Sequence, residues 1–567
     1  MVGRVDADRA ARRQGLQGQR RGHHLAHRPL RQVHPVAPAE DPGRRPRHGQ
    51  GMPVMTRPAP RTAHRGGARL AAAVTALSSM LLFTASGPTS AAEEPPAAPE
   101  LARWTAQTAD SRLLAPGVEY FRYKETSPIA QRAYPRELNV VRIDPAQGAL
   151  RIESTFGRKA ATGETVREMV AAMPEVPLVA VNGGYFMNEG TPPGTTGAVP
   201  ETVQTFGATV RDGEVMGASC VLGKNRHSVV LQYGVPYVTL LETDITVTSS
   251  LTEEIPYGEV TQRVDDVNRN PGGALGCPRD ADDTAGELGP YADAYGKQLA
   301  AYTDPTEFVL FNYSYRTTTP KPDVNKNITA DDQAGYEVVL DSATGAIITG
   351  GEGRGGRTVA KGQYVLQAIG DHQTDWLRRQ HQKKASLKIS QRLWDHRFKA
   401  QEIKREIPLD ETVDVVNGGS LLIRDGVSKY GSTGATGYAH GSCARLYDEN
   451  GRSKDVTAAT PQARTDYCRD SRTAVGVDER GRTLLVTLSG PRDHYYPDGG
   501  FLAEVTEPLR ALGVMDALNQ DGGGSSTMLL GDAARPVNGL SDDPAPGVER
   551  RVYDSIYVAT GGSPVVN

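Results

Sequence analysis

"TVDVVNGGSLLIRDG" (residues 412–426) reads as an apolar strand, an Asn-Gly-Gly turn and a second apolar strand. Val413, Val415 and Val416 suit a pleated, half-buried surface. The glycines end the strand, and Asp425-Gly426 marks the next turn. The same device recurs in "PLVAVNGGYF" (177–186), a buried strand that delivers Asn182 and then Gly183-Gly184. Working outward, "LNVVRIDP" (138–145) and "ALRIESTFG" (149–157) read as strands joined by a turn at 145–148. "EFVLFNYSY" (307–315), "GQYVLQAIG" (362–370), "ASLKISQRL" (385–393) and "RRVYDSIYVAT" (550–560) read as further strands. "RTAVGVDERGRTLLVTLSG" (472–490) reads as a hairpin turning at 478–481, and "VMDALNQDGGGSS" (514–526) as a strand and a turn.

Helices are few. In "ETVREMVAAM" (164–173), Val166, Met169, Val170 and Met173 share one face, and Thr165 with Glu168 can form a capping box. "FLAEVTEPLRALG" (501–513) has helical spacing despite Pro508. The expected fold is α+β: one large strand-rich domain over 113–567, with mixed sheets and a site at glycine-rich strand-end turns. Segments rich in Gly, Pro and Asp near 251–305, and 427–470, read as insertions.

The first 112 residues read differently. Residues 1–54 are rich in Arg, His and Pro, without apolar periodicity, and read as disordered or as an over-long start before Met55. Arg57, Arg61, Arg65 and Arg69 precede the apolar run "LAAAVTALSSMLLFTA" (70–85), and "TSAAEE" offers small residues for cleavage after Ala92. That is the pattern of a secretory signal over 55–92, too short for a membrane span. Residues 93–112 read as an Ala/Pro/Glu-rich linker. Without residues 1–92 the chain holds 49 basic and 63 acidic residues, a net charge of −14. Such a balance disfavours a nucleic-acid partner, whose phosphates need a basic surface. It leaves room for a local pocket for one phosphate.

Four cysteines in an exported chain suggest two disulfides. Of three connectivities, nearest-neighbour pairing gives Cys220–Cys277 and Cys443–Cys468. The six histidines beyond residue 92 are scattered, with no HExxH or HxH, which disfavours a histidine-rich metal site. No cofactor is expected, and metal dependence stays open.

The chemistry gathers at the strand ends. Asn182 and Asn417 carry amides that both donate and accept. Gly183, Gly184, Gly418 and Gly419 allow turns with positive φ and exposed amides. "ALNQDGGGSSTMLL" (517–530) sets Asp521 before Gly522, Gly523 and Gly524, then Ser525 and Ser526. Successive glycine amides can form a concave anion nest. Arg472, at the head of an apolar strand, can supply a bidentate phosphate fork.

Together, "VAVNGGYF", "VVNGGSLLIRDG", "RTAVGVDERG", "ALNQDGGGSSTM" and "ERRV" stand in the order found in the phosphodiester glycosidase family, and the chain resembles that family over most of 113–560. The resemblance implies hydrolysis of a sugar joined through C1 to a phosphodiester, such as an N-acetylglucosamine-1-phosphodiester, releasing the sugar and a phosphate monoester. Carried over by position, it implies Asp521, Arg472, Asn182 and Asn417 as catalytic. It implies Gly183, Gly184, Gly418, Gly419, Gly522, Gly523, Gly524, Ser525, Ser526 and Arg550 as substrate- or phosphate-binding. "DVNRNPG" (266–272) resembles a further segment and adds Asn268 and Arg269. Two positions depart from the pattern: Arg551 stands where proline usually follows, and Gln520 replaces a leucine before Asp521.

A glycosyl phosphate carries a good leaving group, so the main needs are a home for phosphate charge and support for an oxocarbenium-like sugar. Asp521 suits the second as base or nucleophile. A second carboxylate is needed, and Asp478, Asp493, Glu549 and Asp554 are candidates. The partner implied is a glycosyl phosphodiester or cell-envelope glycan outside the cell, with no stable membrane insertion after signal cleavage. Two rivals stand beside this reading. One is a non-catalytic extracellular polysaccharide-binding protein on the same fold. The other is a serine hydrolase, although "GGGSS" is not GxSxG.

Overall fold

The apolar runs form strands because both their faces are covered. Val179 and Val181 share one core cluster with Val416, Val475, Leu518 and Ile556. Between them, Ala180 turns into a second cluster with Met169. Val413 and Val415 face a third cluster with Phe308, Leu366 and Trp376. Burying one such aliphatic side chain contributes about 1.5–3 kcal/mol, so the position of each strand is strongly fixed.

The computed structural model describes residues 96–561 apart from 126–135, 148, 190–201, 222–226, 252–259, 276–277, 293–297, 317, 323–332, 399–402, 430–437, 440–444, 448–452, 456–470, 490–498, 501 and 532–548. A nine-stranded sheet includes Val118–Glu125, Glu137–Ile143, Thr483–Ser489, Arg472–Asp478, Val514–Asn519 and Leu421–Arg424. An eight-stranded sheet runs through Thr209–Arg211, Val413–Asn417, His227–Gln232, Val235–Ser249 and Leu387–Phe398. A four-stranded sheet orders Met528–Leu530, Val179–Asn182, Ser555–Thr560 and Leu150–Thr155. A five-stranded sheet holds Asp266–Val267, Phe308–Phe311, Gln363–Ala368, Tyr336–Asp341 and Ile347–Glu352. Strand pairs are antiparallel, except that Asp266–Val267 lies parallel to Phe308–Phe311.

The result is mostly β rather than α+β, with three α-helices among the described residues. Val166–Ala171 has the expected capping box: Thr165 Oγ1 accepts from the Glu168 amide at 3.1 Å, and Glu168 Oε2 from the Thr165 amide at 2.9 Å. Leu502–Ala511 forms despite Pro508. Asp371–Gln382, which the strand-centred reading passed over, drives Trp376 and Leu377 into the core. No described helix is long and apolar enough to cross a membrane.

Three placements go beyond the sequence reading. Leu150–Thr155 does not pair with Glu137–Ile143; the chain crosses from the nine-stranded to the four-stranded sheet. Likewise, Asn417-Gly418-Gly419 is no hairpin turn, because Val413–Asn417 and Leu421–Arg424 lie in different sheets. The stretch read as a linker to residue 112 is partly core: Leu101 is buried, and Trp104–Ala106 pairs with Tyr123–Glu125.

Candidate active site

Three sheets end at one place. Val179–Asn182 comes from the four-stranded sheet, Val413–Asn417 from the eight-stranded and Val514–Asn519 from the nine-stranded. The two asparagines tie these ends together. Asn182 Oδ1 accepts from Thr473 Oγ1 at 2.7 Å and from the Thr527 amide at 3.1 Å, while its Nδ2 donates to the Asp521 carbonyl at 2.8 Å. Asn417 Oδ1 accepts from the Tyr185 amide at 2.9 Å, and its Nδ2 donates to Thr205 Oγ1 at 2.8 Å. Both side chains are buried. The Asn182 amide is taken up by the protein, and the Asn417 amide holds Tyr185 and Thr205, so both position neighbouring groups at the junction.

The glycines are corrected. None of Gly183, Gly184, Gly418 and Gly419 has positive φ. Their amides donate inward: Gly183 to the Asp554 carbonyl at 2.9 Å, Gly184 to Asp554 Oδ1 at 2.7 Å, Gly418 to the His227 carbonyl at 3.0 Å and Gly419 to the Asn519 carbonyl at 2.8 Å. Glycine is required because the sheets meet so closely. A Cβ on Gly184 would lie 2.5 Å from the Asn417 carbonyl oxygen, and one on Gly419 2.5 Å from the Tyr185 ring.

The run after Asp521 forms one 3-10 turn, Gly523–Ser525, with Gly523 at φ +61°. Its amides are also engaged. Gly522 donates to Asp521 Oδ1 at 2.9 Å, Gly523 to the Ser471 carbonyl at 2.8 Å, and Ser525 and Ser526 to the Gly522 and Gly523 carbonyls at 3.2 Å each. The expected amide nest over Gly522, Gly523, Gly524, Ser525 and Ser526 is therefore closed on itself at four of five positions. Of the five amides, only that of Gly524 has no acceptor among these bonds, so an anion here would rely mainly on side chains.

Two carboxylates meet at the junction. Asp521 is half-buried, and its amide donates to the Gly183 carbonyl at 3.1 Å. Asp554 is buried; its Oδ1 takes the Gly184 amide and its Oδ2 has no hydrogen-bond partner. Burial pushes the Asp554 carboxyl up to about 7; the Gly184 amide works against this and the nearby Asp521 charge adds to it. The other described candidates pair with arginines, although Glu549 Oε2 also lacks a hydrogen-bond partner. Asp478 pairs with Arg482 Nε at 2.7 Å in the hairpin turn, and Glu549 with Arg167 Nη2 at 2.5 Å. Asp493 lies outside the described residues.

Cations flank the glycine run. Arg472 is buried and donates from Nε to the Gly500 carbonyl at 2.9 Å, and a Cβ on Gly522 would lie 3.8 Å from its Nη1. Arg550 Nη1 lies 3.5 Å from Ser525 Oγ, whereas Arg551 is held by Glu168 at 2.8 Å and the Gly163 carbonyl at 3.0 Å. The arginine beside the glycine run is thus Arg550. Ser525 Oγ meets that guanidinium, not a histidine, which weakens the serine-hydrolase rival.

Arg269 is corrected. Its fully buried guanidinium pairs with Asp266 at 2.8 Å and with Glu307, and so is committed to carboxylates. Asn268 Nδ2 donates to Asn312 Oδ1 at 3.1 Å in the same buried region. The sequence reading missed Tyr185. This half-buried residue accepts a 2.7 Å hydrogen bond from Asn519 Nδ2 on its hydroxyl, and an aromatic directly after Asn-Gly-Gly was the available signal. Gln520 is buried with neither amide atom partnered. Cys220 is disulfide-bonded; Cys277, Cys443 and Cys468 lie outside the described residues. Among the described residues, one group could hold a metal ion, Asp265, Asp280 and Asp304, and none of these lies in the junction described above.

Residues 324–559 match the family model for phosphodiester glycosidases. No curated protein matches the chain. A Burkholderia pseudomallei protein described as exported is similar in fold, with 20% identity and a TM-score of 0.58 over 82% of this chain and 98% of that one. A hypothetical protein from Synechocystis aligns at 16% identity and a TM-score of 0.46, over 82% of this chain and 68% of that one. The catalytic domain of zebrafish N-acetylglucosamine-1-phosphodiester alpha-N-acetylglucosaminidase aligns at 13% identity and a TM-score of 0.32, over 79% and 85%.

Proposed function

We propose, from the premise that residues 324–559 carry the phosphodiester glycosidase match, that this chain is a secreted hydrolase. It removes a sugar from a glycosyl-1-phosphodiester, such as an N-acetylglucosamine-1-phosphodiester, in a cell-envelope or extracellular glycan. The observation that carries the reading is the pair Asp521 and Asp554. One carboxylate is half-buried; the other is buried, raised to about 7 and influenced by the first. Environments that push two carboxyls apart suit an acid and a base at neutral pH.

In this reading Asp521, ionised, faces the anomeric carbon and either takes a proton from the attacking water or attacks C1 itself, in which case water then cleaves the C1–Asp521 ester, releasing the sugar and restoring the carboxylate. The bond between C1 and the phosphate oxygen breaks, and its electrons leave with the phosphate monoester. Asp554 holds the proton the leaving oxygen can accept. Arg472 and Arg550 stabilise the phosphate charge with side-chain donors, because the amides of Gly522, Gly523, Ser525 and Ser526 are engaged within the protein. Asn182 holds the Asp521 carbonyl and Asn417 the Tyr185 amide, so both asparagines act through backbone placement.

Export rests on the signal pattern of residues 55–92, and in an exported chain the disulfides Cys220–Cys277 and Cys443–Cys468 are the proposed pairs. The test is incubation of the secreted protein with a panel of glycosyl-1-phosphodiesters, with free sugar and phosphate monoester as readouts. Equal amounts of both from at least one substrate are expected. Binding of a polysaccharide without either product would replace the hydrolase with a binding protein.

A further inference from the structure

We infer that Tyr185 and Phe206 form an aromatic wall that binds the sugar ring of the substrate. This rests on the phosphodiester reading above and adds which residues take the sugar. Tyr185 follows Gly184 and immediately precedes the strand Phe186–Glu189. That strand pairs with Thr202–Thr205, with Phe186 opposite Thr205. The Phe206 amide donates to the Tyr185 carbonyl at 3.0 Å, so the pairing runs on by one residue. Residues paired across two strands project to one face, and successive residues along a strand to opposite faces. Tyr185 and Phe206 therefore stand side by side.

The two faces of this ribbon differ. Phe186 and Val203 turn into a core cluster with Ala160 and Tyr553. Neither Tyr185 nor Phe206 packs against any core cluster of the described residues. Both are half-buried. Aromatic rings left partly open beside polar groups offer a surface to the C–H face of a pyranose.

The Tyr185 ring is fixed in place. A Cβ on Gly419 would come 2.5 Å from the ring and 3.1 Å from its hydroxyl oxygen. Asn519 Nδ2 donates to that hydroxyl and to the Gln520 carbonyl, at 2.7 Å each. The Tyr185 amide donates to Asn417 Oδ1 at 2.9 Å. A platform held this way loses little freedom when a ligand binds. It also stands beside both carboxylates. The Asp521 amide donates to the Gly183 carbonyl at 3.1 Å, and the Gly184 amide to Asp554 Oδ1 at 2.7 Å. Arg472 and Arg550 adjoin Gly522 and Ser525, which follow Asp521. Along 519–525 the neighbours thus run aromatic ring, carboxylate, arginines. A glycosyl phosphodiester presents the matching order: sugar ring, anomeric carbon, phosphate.

The test uses the full chain and three probes. The methyl diester of N-acetylglucosamine 1-phosphate is the substrate, N-acetylglucosamine the sugar half and methyl phosphate the phosphate half. In Tyr185→Leu, KM for the diester should rise about tenfold with kcat within about threefold, because binding common to ground and transition states is lost. The Kd for the sugar should rise about tenfold as well, and that for methyl phosphate should stay. Tyr185→Phe keeps the ring and should recover most of the loss. Phe206→Leu should move the same two constants in the same direction, and decides the matter if Tyr185→Leu does not fold. An unchanged sugar Kd in the folded leucine variants would overturn the wall, as would an equal loss for sugar and methyl phosphate. If the wild type cleaves no diester yet Tyr185→Leu still weakens the sugar alone, the hydrolase reading falls and the wall stands. No sugar binding by the wild type would overturn the wall even where the diester is cleaved.

Discussion

A carboxyl with one oxygen on a backbone amide and the other without a donor holds a proton far more readily than one in water. Asp554 is in that position, raised to about 7 by burial and by the charge of Asp521. Its folded value lies above the unfolded one, near 4, so the native state binds the extra proton. The stability it contributes is complete below about pH 4 and lost as pH rises through 7. Melting midpoints should therefore fall between about pH 5 and 8 in wild type, and this component should vanish in Asp554→Asn. The same group predicts an alkaline limb near 7 in kcat/KM if it acts as the acid. Kinetics across pH beside the melts check both; a wild-type rate flat from pH 6 to 8 would remove Asp554 from the chemistry. Asp521→Asn keeps shape without charge, so turnover should collapse while binding of a phosphate analogue persists. Arg472→Ala should cost about 2–4 kcal/mol in kcat/KM, the loss of one preorganised charge-stabilising donor. Near-normal turnover in folded Asp521→Asn would end the assignment.

At the scale of elements, the apolar runs were legible because strands covered on both faces read as near-continuous hydrophobic segments. The capping box at Thr165 and Glu168 and the hairpin turn at Gly481 were legible because each is local. What was not legible is which sheet a strand joins. "VVNGGSLL" looks like a hairpin, yet its halves part into two sheets, since pairing is set by distant packing against Leu518 and Val229. The glycine amides looked free because their acceptors, such as Asp554 and His227, are far away in sequence. Arg269 looked available because Glu307, its buried partner, lies 38 residues on. The selection of Asp554 among the described candidate acids likewise needed tertiary burial. Two alanine substitutions separate the two kinds of glycine. Gly481, at φ +76° with open space around it, should cost about 1 kcal/mol of strain and leave the site untouched. Gly184→Ala drives a Cβ against the Asn417 carbonyl, so it should cost about 1–3 kcal/mol or more and lower turnover by displacing Tyr185 and the amide on Asp554. Denaturation midpoints and kcat/KM measured on both variants check this, and unchanged activity in Gly184→Ala would mean the junction does not position the site.

For the molecule as a whole, the question is where the folded domain begins. Composition suggested residue 113, because residues 93–112 are rich in Ala, Pro and Glu. Packing argues for an earlier start. Leu101 is buried in the cluster that holds Phe121, Tyr123, Leu138 and Leu422 beside the helix Leu502–Ala511. Trp104–Ala106 pairs along Tyr123–Glu125, and the Arg136 guanidinium lies 5.6 Å from the centre of the Trp104 ring. Arg136 is itself buried between Glu125 at 2.7 Å and Glu504 at 3.0 Å. Trp104 thus lies beside a buried charge network that joins the sheet to the helix. Deleting this segment exposes Phe121 and Tyr123 and admits water to that network, where an ion pair holds only while its partners stay aligned and desolvated together. A chain beginning at residue 96 should melt like the full-length chain. A chain beginning at residue 113 should lose at least about 3 kcal/mol, from the burial of Leu101 and Trp104 alone, and should aggregate through the uncovered sheet edge. Urea midpoints of the two truncations decide it. Equal midpoints would restore the linker reading and move the start of the domain to residue 113.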